Sequence, residues 1–224
     1  MGVAAAPAAL GDAVRVSATT RLSIFPLPGA LLFPRMQLPL HIFEPRYRAM
    51  VSDAMARDRR IGMIQPRGSV SIGGAETPEL FGLGCVGRIA EIEMLDDGRS
   101  NLILEGVALF RLVRELDVTT PFRQVEAELL PVAEEDTLSL GRRASLEMES
   151  RAFADRQGYA VDWDAVGRLD DQSLVNGIAQ IAPFDAAAKQ ALLEAEGIEL
   201  RAELIIQLMQ FFGRHDGEEQ VTLQ

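Results

Sequence analysis

The 224-residue sequence predicts an α+β fold, with strands in its first half and helices in its second. Three observations carry that expectation. The apolar period is close to two from about Leu22 to Val132 and becomes helical beyond it. The charge divides at the same place: residues 21–131 hold 13 basic against 14 acidic groups, whereas 132–224 hold 8 against 18. Finally, the apolar run FPLPGALLFPRMQLPLHIFEPRY, Phe25 to Tyr47, is broken by five prolines, which fit neither a long helix nor a central strand. The expected organisation is a flexible leader over 1–20, a strand-rich barrel part over 21–132, a helical-bundle part over 133–213 and a polar tail over 214–224.

Each element has its own local reason. The prolines hold the opening run in extended, turn and edge conformations, while Phe25, Leu27, Leu31, Phe33, Leu38, Leu40, Ile42 and Phe43 are placed to cap a small core. Pro45 then suits a first helical turn, and Tyr47, Met50, Val51, Ala54 and Met55 form one helical face. RIGMIQP reads as a strand ended by Pro66. In RIAEIEM, Ala90, Ile92 and Met94 alternate with Glu91 and Glu93. Asp97-Gly98 between two such runs is a hairpin signal, ALFRLVREL supplies another strand, and the glycines at 82, 84 and 87 suggest bends or bulges. In QVEAELL, Val125, Ala127 and Leu129 alternate with Gln124, Glu126 and Glu128.

Beyond Val132, Asp136 to Gln157 is a charged helical segment stopped by Gly158. Leu174, Val175, Ile178, Ala179, Ile181 and Ala182 form a stripe. Asp185 is a fitting N-cap for the next helix, with Gly197 as its stop. The last helix is apolar at Leu204, Ile205, Leu208, Met209 and Phe212, widened by Ile206 and Phe211.

Composition excludes several function classes. The net charge of -11 opposes nucleic-acid binding. One cysteine, Cys85, gives no disulfide framework, and the start has neither a basic n-region nor an apolar h-region, so the expectation is a cytoplasmic protein without membrane association. The two histidines, His41 and His215, read as a structural residue and a solvated tail residue. No nucleophile motif, P-loop or metal-ligand spacing occurs, and IGGAE at 72–76 reads as a flexible turn. Lys189 is the single lysine and has no serine near it in sequence, which argues against a serine–lysine dyad. Hence no catalytic, cofactor or metal residue is assigned.

Against that background the opening run resembles the N-terminal, substrate-binding domain of the Lon protease family. The resemblance lies in IFPLPGALLFPRMQLPLHIFEPRYRAMV at 24–51, RRIGMIQP at 59–66, GLGCVGRIAEIEMLDDGRSNLILEGVALFRL at 82–112 and FRQVEAELL at 122–130. SLVNGIAQIAPFDAAAKQALLEAEGIELRAELIIQLM looks like the helical appendix of free-standing bacterial members. It implies a PUA-like β pseudo-barrel followed by a C-terminal α-helical bundle. It also implies recognition of unfolded or extended polypeptide, in company with a protease or chaperone machine of protein quality control. Full Lon proteases add an ATPase module and a serine–lysine dyad, and this sequence shows neither motif.

The function expected is therefore a non-enzymatic polypeptide-binding or adaptor module. Its groove would be apolar with a few arginines, with Phe33, Arg35 and Met36 as peptide-binding candidates. Phe211 and Phe212 are candidates for an interface, including one in a homodimer. The alternative is an RNA-binding PUA-like module, which would need a basic strip from Arg35, Arg46, Arg48, Arg59, Arg60 and Arg67.

Overall fold

One long strand organises the sheet. Strand β5, Ser100–Glu115, pairs with β4, Leu83–Met94, along one side and divides its other side between two partners. Its first part meets β2, Gln37–Ile42, and its later part meets β6, Gln124–Leu129. Strands β1, Thr19–Pro26, and β3, Arg60–Ile64, complete a six-stranded sheet in the order β2-β5-β4-β3-β1-β6. Because β6 also pairs with β5, the ladder through β1, β3, β4, β5 and β6 returns on itself. The structure is a computed structural model and describes residues 19–68, 78–131 and 136–219, with side chains as far as Phe212. IGGAE at 72–76, most of the expected leader and the last five residues lie outside these.

The hairpin at Asp97-Gly98 forms as expected: Gly98 takes φ +79°, and Leu95 receives and donates the closing backbone bonds. Between Ile89 and Glu91 the β4–β5 register shifts, and this corrects the alternation expected in RIAEIEM. Ile89 points into the core, Ala90 is exposed, and Met94 is 67% exposed. Gln124, expected outward, is buried and hydrogen-bonds the Thr120 hydroxyl and the Arg21 guanidinium.

Strand β2 is an edge strand, paired only with β5 among the described residues. Pro39 sits opposite Ile103 and has no N–H to give, so Gln37, Pro39 and His41 turn their backbone groups away from β5. The Gln37 carbonyl accordingly accepts from the Gln180 side chain outside the sheet.

Helix α1, Pro45–Met55, buries Tyr47, Met50, Val51 and Ala54 against one face of the sheet, and Tyr47 meets the Phe25 ring at 4.1 Å between centroids. Phe43, expected to cap the core, is 59% exposed. The second half holds α2, Leu140–Gln157; α3, Trp163–Val166; α4, Asp171–Ile181; α5, Ala186–Glu194; and α6, Gly197–Glu219. Ser139, Asp170 and Asp185 cap α2, α4 and α5, each accepting from a first-turn N–H, and Gly158 ends α2 in the left-handed region at φ +70°. Helices α2, α4 and α5 pack on α6, which continues through part of the expected polar tail and carries His215 in its backbone. One apolar cluster joins Leu31 and Phe33 to Leu146, Phe153, Leu174, Val175 and Ile205, so the helices cover the proline-rich segment.

Candidate functional site

The segment Phe33–Met36 is where the two halves meet. Gly106 makes this possible: a Cβ there would stand 2.1 Å from the Phe33 carbonyl oxygen. The close approach lets Arg35 donate its backbone N–H to the Gly106 carbonyl at 2.8 Å, while Gly106 donates to Met36 at 2.9 Å. Arg35 adopts φ +66° in this tight bend. From the other side α4 presents Gln172, Asn176 and Gln180, spaced one turn apart on a single face. Asn176 donates to the Pro34 carbonyl at 3.1 Å; Gln180 accepts from the Phe33 N–H at 3.0 Å and donates to the Gln37 carbonyl at 2.7 Å. Sequence reasoning missed this row, although its signal was legible: three amide side chains at i, i+4 and i+8 beside an apolar stripe.

Phe33 does not face solvent. It is fully buried beneath the helices, which corrects its assignment as a peptide-binding residue, because helix packing claims the ring. Arg35 is exposed and pairs with Asp170 at 3.2 Å. That pair is a surface contact of small energetic weight. Asp170 is held below the usual carboxylate range by hydrogen bonds from Ser173, with Arg35 adding to them. Met36 is half-buried and touches the apolar clusters on both sides of the junction. At the far end of the molecule Phe212 stacks on Phe184, 5.7 Å between centroids, and closes the helical core, while Phe211 meets Phe212 edge-on and is 56% exposed.

Next to Pro34 the junction opens into a cleft of about 720 Å³. Leu83, Leu109, Leu112 and Leu130 line its strand wall and Leu193 and Ile198 its helical wall. Two arginines stand on the strand side. Arg111 pairs with Glu128 at 3.1 Å, and Arg67 lies over the Phe81 ring at 5.0 Å while donating to the Leu80 carbonyl. Asp136, Glu194 and Glu196 stand on the helical side. Asp136 accepts from the Ile198 N–H at 2.8 Å, at the start of α6, where a carboxylate meets the positive end of the helix.

Arg201 supplies a buried cation on the helical wall. Its guanidinium donates to the carbonyls of Leu192, Leu193 and Ala195 at the end of α5 and to Asn176 Oδ1 at 2.6 Å, and lies 5.7 Å from the Phe33 ring. Burial brings its pKa down to about 10, partly offset by the field of Asp136. Gln190, also buried, donates to the Leu83 carbonyl and the Glu194 carboxylate; its Oε1 has no hydrogen-bond partner among the described residues.

The groups with catalytic potential are engaged otherwise. Lys189 Nζ donates to the Gln180 carbonyl at 2.6 Å, and burial lowers its pKa. Cys85 is fully buried and its thiol is pushed up to about 12 by desolvation. His41 bonds Asn101 at 2.7 Å on the exposed face of the sheet. Among the described residues no three His, Cys, Asp or Glu side chains gather as a cation site requires. None of the described helices is long and apolar enough to cross a membrane.

The family model for the ATP-dependent protease La (LON) substrate-binding domain matches residues 21–210. The chain belongs to the Lon substrate-binding domain family. Lon protease 2 of Herpetosiphon aurantiacus is 28% identical over 200 residues, which cover 86% of this chain and 24% of that protein. Lon protease 1 of Syntrophobacter fumaroxidans is 28% identical over 194 residues, covering 84% of this chain and 23% of that protein. This Lon-family chain thus spans about a quarter of the length of the curated relatives it matches. Its fold is similar to that of the Lon N-terminal domain protein from Xanthomonas campestris, with TM-score 0.64 and 21% identity over 84% of this chain and 98% of that one. It is similar also to the N-terminal domain of the Mycobacterium avium complex Lon protease, with TM-score 0.65 and 16% identity over 85% of this chain and 98% of that one. The Lon family match thus agrees with the mixed α+β architecture and covers both walls of the cleft.

Proposed function

We propose that this chain is a polypeptide-recognition module that alters no covalent bond itself, and that an extended segment lies in the cleft between the strand half and the helices. The closed cycle of strands supports a PUA-like pseudo-barrel for the first half, and the packing on α6 supports a helical bundle for the second. The observation that carries the functional reading is the lining of the cleft. Its apolar walls are interleaved with charged side chains, Arg67 and Arg111 on one side and Asp136, Glu194 and Glu196 on the other, a mixture that suits a polypeptide with side chains of varied kind. On this reading the groove centres on Pro34 rather than Phe33. Arg35, the next residue, extends the exposed surface beside it. The natural setting for such a module is protein quality control in the cytoplasm, alongside a protease or chaperone machine.

The test is fluorescence anisotropy with a labelled, permanently unfolded polypeptide. Saturable binding that falls at least about tenfold in Leu130→Asp and in Arg67→Glu, one change in each lining chemistry, supports the cleft. Unchanged affinity in both variants, with folding intact, rejects it. The RNA reading is the weaker one. Of the six arginines it needs, Arg35, Arg46 and Arg60 are already matched to Asp170, Glu44 and Asp58.

A further inference from the structure

We infer that the outer face of α5 and α6 is a two-fold self-association surface, in which Phe211 of one copy fills the groove between α5 and α6 of another. The groove has a volume of about 330 Å³ and lies between the two helices. Its lining includes the buried Leu192 and the small side chains of Ala188 and Ala191 on α5, with Leu204 and Leu208 of α6 opposite them. Phe211 stands at its end, 56% exposed, and Leu200, 45% exposed, extends the apolar row by one turn toward the start of α6.

Two features select a second copy as the occupant. The first is that knob and hole belong to one patch. A large aromatic and an apolar depression within a single face are what an isologous contact requires, since the same residues must serve as both donor and receiver of the fit. The second is charge. Residues 132–224 carry 8 basic against 18 acidic groups, so two helical halves repel one another over most of their surface. The groove is an exception, because among the described residues none that lines it is charged. Two copies can meet there without opposing carboxylates. Phe212 takes no part, being held against Phe184 in the helical core.

Sedimentation velocity of the full chain over a broad concentration range tests this. The wild type is expected to show a reversible monomer–dimer equilibrium. Phe211→Asp and Ala191→Lys, both at solvent-accessible positions, are each expected to weaken it at least about tenfold with an unchanged melting temperature. The decisive step is to mix the two variants. In a two-fold knob-in-hole contact the mixed dimer pairs the new aspartate with the new lysine at one site and keeps the native contact at the other, so dimerisation returns. A wild type that stays monomeric throughout, or variants that do not recover on mixing, overturns the proposal.

Discussion

The guanidinium of Arg201 lies 5.7 Å from the centre of the Phe33 ring, so a side chain of the last helix rests on a residue of the proline-rich run. Through Asn176 the same guanidinium is linked to the Pro34 carbonyl, and through Leu192, Leu193 and Ala195 to the end of α5. One cation thus ties the proline-rich segment, α4 and α5 together at the edge of the cleft.

Replacing Arg201 by Met keeps much of the volume and removes every donor. The buried carbonyls at the end of α5 and Asn176 Oδ1 then lose a partner together. We expect a loss of about 3 kcal/mol, read as a lower urea midpoint at unchanged slope.

Gln180→Glu should open the junction locally. The carboxylate still accepts from the Phe33 N–H but confronts the Gln37 carbonyl with no donor. The expected cost is about 1 kcal/mol, with faster amide exchange concentrated at residues 33–37 in hydrogen-exchange mass spectrometry.

Gly106→Ala drives a methyl to within 2.1 Å of the Phe33 carbonyl oxygen, a backbone atom that cannot swing aside. A loss of about 2 kcal/mol is expected, visible as a lower melting temperature. The same change at Gly141, where an added Cβ meets nothing within 4 Å, serves as the control.

Cys85 gives a pH signature. Its thiol pKa rises from 9.0 to about 12 on burial, so between these values the unfolded chain releases a proton that the folded chain keeps. Stability therefore falls as pH rises above 9.0, by at most about 1.4 kcal/mol per pH unit. Arg201 opposes this from about pH 10, since the folded state then releases a proton that the unfolded state retains. Chemical denaturation from pH 8.5 to 10 should show the decline in wild type and a flatter profile in Cys85→Ala.

Much of the fold was legible because its signals are local. Pro45, Asp97-Gly98, Asp185 and Gly158 each act within a turn of themselves, and each forms the start, hairpin, cap or stop that its chemistry suggests. The errors arise where a distant partner decides. Phe33 is buried because helices more than a hundred residues away close over it, and proline spacing says nothing of that. Ala90 is exposed because a register shift at Ile89–Glu91 puts Ile89 and Ile92, and not Ala90, on the inner face, a change the residue pattern does not reveal. The residues that line the cleft come from segments scattered from Pro34 to Arg201, so only assembly of the fold could name them. The four-residue α3 has too few positions to show a period at all.

Pro39 leaves a missing rung on the outer flank of β2, and the Gln180 amide already occupies the rung before it. A denatured chain brought close to this molecule therefore meets a border that resists templating. If the chain binds extended polypeptide as proposed, this border keeps such a ligand from adding itself to β2 as a further strand.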